Sequence, residues 1–279
     1  MLDALAAAVK ALLYAGVLSC AGAVFAEASL RGALGAAVHF PAQVMRRAGL
    51  VTIVAALVGA LILIFRLGGQ FDEPTLSAVF LSSSGAAMSF QLAGPILILV
   101  AMGADKTDRA MRLLDAALAT VSFAICGHAA SAGGLEGAAA FVHVSAAAWW
   151  VGSLCVLRYA CAHLELVAVA GLVQRFSSIV MRLIGALLIA GLILIAALVD
   201  FARHPLLTPY GQILVVKLGI VVLVLGLASY NKFRLTPRLR SGDRTAVASL
   251  QRMINAELVA IGAILATTAI LTTYTSPLE

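Results

Sequence analysis

The sequence predicts an all-α fold: a polytopic membrane helix bundle with eight transmembrane helices and both termini outside. Three observations predict it. Of the 279 residues, 62% are hydrophobic and only 11% are charged, whereas an ordinary soluble domain is about 45–50% apolar and about 25% charged. Apolar runs near the ~20 residues that a bilayer requires recur along the chain. Lys and Arg are gathered in alternate connections between those runs, as the positive-inside rule demands. Aromatic residues are 6% of the chain, so the apolar excess is aliphatic. Mean hydropathy is +1.05. A soluble globule of this size would lack the polar surface to cover itself, which excludes a cytoplasmic enzyme, a disordered chain and a disulfide-stapled module. The net charge of +6 reflects basic loops beside a lipid bilayer, and no nucleic-acid partner is expected.

The spans fall near Leu5–Phe25, Ala48–Phe65, Gly85–Met102, Met111–Ala130, Leu135–Leu157, Ile179–Val199, Gly211–Tyr230 and Ala256–Tyr274. Helix-breaking residues separate them, among them Gly68-Gly69, Asp72-Glu73-Pro74, Gly133-Gly134, His204-Pro205 and Thr208-Pro209. No connection is long enough for a soluble domain, so residues 1–279 read as a single membrane domain. The first run ends on Ala23-Val24-Phe25-Ala26, which resembles a signal-peptide cleavage site. The chain begins Met1-Leu2-Asp3 without the positive n-region such a peptide needs, so the run is read as a span.

Orientation follows from the cations. Arg31, Arg46 and Arg47 flank the connection after span 1, and Lys106, Arg109 and Arg112 that after span 3. Arg158, Arg175 and Arg182 flank the one after span 5. Lys232, Arg234, Arg238, Arg240, Arg244 and Arg252 flank the one after span 7. The opposite connections hold only Arg66 and Arg203, and Lys10 and Lys217 sit within spans. The loops after helices 1, 3, 5 and 7 are therefore expected on the cytoplasmic side of the membrane, and both termini on the other.

Ionisable side chains inside spans are costly and are candidates for function. His128 lies near the outer end of span 4 and His143 inside span 5. A symmetric hairpin turning at Gly133–Gly137 would put both imidazoles at similar depth, roughly 7–10 Å below the outer turn at 1.5 Å per residue. Two facing imidazoles can hold one copper, zinc or iron ion, or clamp a haem from both sides. The alternative is that each imidazole bonds a carbonyl or hydroxyl on a neighbouring helix. Met88, near the outer end of span 3, offers a soft thioether to the same ion, with lipid-facing or core packing as its alternative. Cys126 is two residues from His128 and points away from it.

Lys217 lies about two turns into span 7, where it either snorkels to the interface, pairs with a carboxylate or gates cations. Asp200 and His204, on an outer loop, can gather a cation at an entrance or simply form a solvated rim. Asp115, Asn255 and Glu257 lie at inner helix ends as exit-side groups or interfacial anchors. Trp150 is seven residues from His143 on the same helix face, as a wall of the site or as packing. Small residues crowd spans 4 and 5, including Ala148 and Gly152, as close membrane-helix packing requires. There is no Walker loop, no nucleotide fingerprint, no HExxH and no hydrolytic triad, so no enzyme activity and no ATP-driven pump is expected.

Four segments carry a resemblance. They are Gly127-His128-Ala129-Ala130, then His143 through Trp149-Trp150-Val151-Gly152-Ser153-Leu154, then Arg175-Phe176-Ser177, then Tyr210-Gly211-Gln212-Ile213-Leu214-Val215-Val216-Lys217, followed by Asn231. In this order they resemble the bacterial copper resistance protein D (CopD) family, most clearly over residues 111–235. The resemblance implies an eight-span inner-membrane protein that passes copper inward from a periplasmic copper-binding partner of the CopC type. Taken with the histidine pair, it leads to the expectation that copper is held by His128 and His143. Related families with a similar histidine hairpin bind haem, so a haem b redox protein using the same two histidines is the alternative.

Overall fold

A computed structural model describes residues 1–35, 39–69, 71–103, 109–125, 133–199 and 208–275. Among these residues the chain is helical and contains no strand. The order is α1 (Leu2–Leu34), α2 (Phe40–Arg66), a short α3 (Glu73–Phe80), α4 (Ser83–Gly103), α5 (Arg109–Val121), α6 (Gly134–His163), α7 (Leu166–Leu198) and α8 (Pro209–Tyr230). A π-turn (Asn231–Leu235), a short α9 (Thr236–Arg240) and α10 (Thr245–Tyr274) follow. Starts are set by local chemistry. Asp72 accepts from the Thr75 N–H at 3.0 Å to open α3. Thr208 accepts from the Gly211 N–H at 3.1 Å to open α8, with Pro209 in its first turn.

Seven helices are long and apolar enough to cross a membrane: α1, α2, α4, α6, α7, the run from α8 through α9, and α10. They match the expected spans except the fourth. The expected helix over Met111–Ala130 is described only as α5, which ends at Val121 and passes into turns. There the Ser122 hydroxyl bonds back to the Ala119 carbonyl at 2.7 Å and the Thr120 hydroxyl to the Ala117 carbonyl at 3.1 Å, local bonds that compete with helix continuation. An eighth crossing would have to run through residues outside those described.

α1 is the central post. On one side Val17, Cys20, Ala21 and Val24 pack against Met45 of α2, Ile98 of α4, and Ala116 and Ala119 of α5. On the other, Ala26, Leu30 and Leu34 join a larger core with α6, α7 and α10. Small residues make the tightest crossing: a Cβ on Gly22 of α1 would overlap the backbone of Ala148 and Gly152 on α6, and a Cβ on Gly152 would overlap Gly22. α7 and α8 face outward with Leu188, Ile189, Leu192, Val222 and Leu223 exposed. So much contiguous apolar surface is what lipid covers in a multi-pass membrane protein.

The cations assort by end. Arg112 pairs with Glu27 at 3.2 Å, Arg158 bonds Asn255 at 2.7 Å, Arg175 bonds the Ser29 carbonyl at 3.3 Å and Lys232 reaches Ser177 at 3.3 Å. These residues mark one end, the basic end. At the opposite end Arg66 pairs with Asp3, and Lys10 bonds the Thr272 carbonyl at 3.0 Å. The start of α1 and the end of α10 thus meet at the end away from the basic loops.

Candidate functional site

His143 lies in the tenth residue position of α6, about 13 Å along the helix from its start at 1.5 Å per residue. Its half-buried ring lies against α7, where Nδ1 is 3.0 Å from the Leu187 carbonyl. A carbonyl can only accept, so the proton is on Nδ1 and the neutral ring keeps its lone pair on Nε2. Histidine ligands of metals are characteristically fixed in this way by a second hydrogen bond through the other nitrogen. Gly191, one turn further along α7, leaves the room the ring occupies: a Cβ there would come within 3.3 Å of His143 Cε1. The carbonyl bond named as the alternative role in the sequence is therefore present, and it leaves Nε2 available for a ligand.

Lys217 lies eight residues into α8, about 12 Å from its start and at a depth similar to that of His143. α7 and α8 make few contacts among the described residues.

Among the described residues, Met88 is not gathered there. Met88 is half-buried on α4, which packs against α2, α3, α5 and α1 and not against α6. His128, Cys126, Asp200 and His204 lie outside the described residues. Of the hairpin expected to match His128 to His143 in depth, the described residues hold α5, which ends at Val121, and α6, which starts at Gly134. Among the described residues no group of three or more His, Cys, Asp and Glu is placed to hold a metal ion.

A second polar group lies towards the basic end. Glu257 of α10 is 2% exposed and accepts a hydrogen bond from the Asn231 side-chain amide. Trp150 of α6 is buried, and its indole N–H is directed at the same carboxyl without completing a standard hydrogen bond. Trp150 therefore serves this group, two helical turns from His143. Trp149 instead donates to Ser29 at 2.8 Å and stacks on Phe176 with ring centroids 5.4 Å apart. Glu257 was legible as one of several inner-end polar groups, and only its pairing with Asn231 distinguishes it from Asn255, which caps Arg158.

The π-turn positions Asn231. Pro237 has no N–H and cannot continue the α-helical ladder. Just before it the backbone widens, and the Thr236 N–H and hydroxyl both bond the Asn231 carbonyl, the hydroxyl at 3.0 Å. Such π-turns recur at functional positions in helices.

Residues 170–271 match the family model described as copper resistance protein D (CopD). Over this segment the chain is similar to the CopD family. It begins later than the resembling region read from the sequence and runs further, through α10. The CopD segment holds Arg175-Phe176-Ser177, Lys217, Asn231 and Glu257, while His128, His143 and Trp150 precede it. Its Arg-Phe-Ser motif now has a structural content: Arg175 reaches α1, Phe176 stacks on α6 and Ser177 meets the Lys232 ammonium of the π-turn. Comparisons with curated proteins and with solved structures give no significant match.

Proposed function

We propose that this chain moves copper across the bacterial inner membrane. In this reading copper arrives at the periplasmic face from a separate CopC-type carrier, is held by His143 with His128, and leaves at the basic, cytoplasmic end. The observation that carries it is His143 itself. An imidazole inside a lipid-facing bundle, with Nδ1 tied to Leu187 and Nε2 left to accept a ligand, is suited to a soft or borderline cation in the membrane protein of a copper-linked family. Lys217 opposes a cation at the same depth, as a gate does. A path with few ligands suits transport, because an ion held too tightly cannot leave.

The test is copper accumulation in cells and in proteoliposomes. His128→Ala and His143→Ala should each remove most of it, and the double variant should be hardly worse, because two ligands of one ion fail together. Both variants should insert normally, since Ala in a span is less costly than His. Wild-type uptake in two normally inserted single variants would overturn the site. A Soret band in the purified protein that disappears with either histidine would replace copper transport by haem-based electron transfer.

A further inference from the structure

Glu257 is more completely enclosed than any role as a solvated helix-end anchor needs. It is 2% exposed, and among the described residues no Lys or Arg stands within ion-pair distance of it. The charged groups on the surrounding elements are engaged elsewhere. Lys232 of the π-turn is held by Ser177, Arg158 of α6 by Asn255, Glu27 of α1 by Arg112, and Arg252 of α10 by Ser249 at 3.5 Å. Lys217 of α8 is about 21 Å away along the helix axis from Asn231 at 1.5 Å per residue. An ionised carboxylate in such a place is expensive unless its charge is cancelled on demand.

Two neighbours are built to serve both protonation states. Asn231 Oδ1 and Trp150 Nε1 are buried and make no hydrogen bond of their own. With Glu257 ionised, the Asn231 Nδ2–H and the Trp150 N–H are two donors for its oxygens. With Glu257 protonated, its O–H can donate to Asn231 Oδ1 after the amide turns, while the other oxygen still accepts from Trp150. An indole N–H aimed at the carboxyl suits a proton and opposes a metal ion, which would meet the N–H head-on. A cavity of about 140 Å³ between α7, α8 and α10 reaches Glu257, Asn231, Ser177 and Lys232, with Ser229 and Thr236 among otherwise apolar walls. That is room for water to bring and remove the proton.

We propose that Glu257 is a proton-exchange site at the basic end of the bundle, taking a proton from water in this cavity and returning it there, in step with cation movement past His143. The exchange is balanced: the carboxylate gains the proton that a cavity water loses to it, and gives it back to water on ionising. The coupling rests on the copper-transport reading; the titration of Glu257 does not.

Two measurements on the full chain test this. Infrared difference spectra of the protein in nanodiscs, taken across a pH titration, should show a carboxylic acid C=O band that is absent in Glu257→Gln and displaced in Trp150→Phe and Asn231→Leu. No titrating band removable by Glu257→Gln overturns the proposal, as does loss of bound copper in Glu257→Gln with no such band in the wild type, which would make Glu257 a metal ligand. In proteoliposomes holding a trapped pH indicator, copper entry into wild-type vesicles should move protons, and Glu257→Gln should abolish that movement. Copper entry without proton movement overturns the coupling. If wild-type vesicles move no copper, the transport reading fails and the infrared titration alone judges Glu257.

Discussion

His143 and Lys217 stand at similar depth on α6 and α8, and their chemistry is opposed: one offers a lone pair to a cation, the other a positive charge. Substituting Lys217 with Met keeps the length of the side chain and removes the charge. Copper uptake in Lys217→Met is expected to rise a few-fold, with protein level unchanged, because a costly buried charge is lost along with the repulsion. Uptake equal to that of the wild type would retire the gate and leave the histidine untouched. Asp243, in the loop before α10, gives a residue-scale prediction about pH. Bonds from Thr245 and Arg238 hold its carboxyl down at about 2. A depressed folded value stabilises the ionised form, so this contribution is present above the ordinary carboxylate range and is lost as pH falls towards 2. Amide protection factors, which correct for the intrinsic pH dependence of exchange, should therefore be steady at the first turn of α10 from neutral pH to about pH 4 and fall below it. In Asp243→Asn they should already be low at neutral pH.

At the scale of elements, the α1–α6 crossing is the contact least able to accept change. Gly22 meets Ala148 and Gly152 backbone to backbone, and these helices carry the central post and both tryptophans. Gly152→Leu should force the helices apart and lower stability by about 1–3 kcal/mol or more, the usual cost of overpacking. The readout is the denaturation midpoint in detergent. Gly171→Ala on α7 is the control, because nothing lies within 4 Å of a Cβ there; its midpoint should stay or rise slightly. Equal loss in both variants would show that the α1–α6 crossing is not the source of the effect.

For the whole molecule, the assortment of cations to one end predicts topology. A reporter active only in the cytoplasm should work when inserted at Gly242, between α9 and α10, and fail when fused after Glu279. The reverse result would invert the bundle and move Glu257 to the entrance. Several helices extend past their expected spans at the basic end: α1 to Leu34, α2 back to Phe40, α6 to His163, α7 back to Leu166 and α10 back to Thr245. The helices are thus longest at that end, and in vesicles that expose it a limited protease should cut first at the connection around Gly242.

Hydropathy and charge are written residue by residue, so seven of the spans, their breakers and the grouping of Arg and Lys were legible in the chain alone. In lipid every backbone group must be satisfied within its own helix, which makes span positions a local property. The rotation of each helix and its choice of neighbour are not local. No hydrophobic force sorts one apolar helix face from another in a bilayer, and packing and single polar contacts decide. Only the tertiary structure therefore showed that Gly152 meets Gly22 of α1 and not a neighbour in span 4, and that Trp150 turns to Glu257. The same holds for Asn231, carried by a π-turn from α8 to α10, and for His143, which spends one nitrogen on Leu187 and keeps the other.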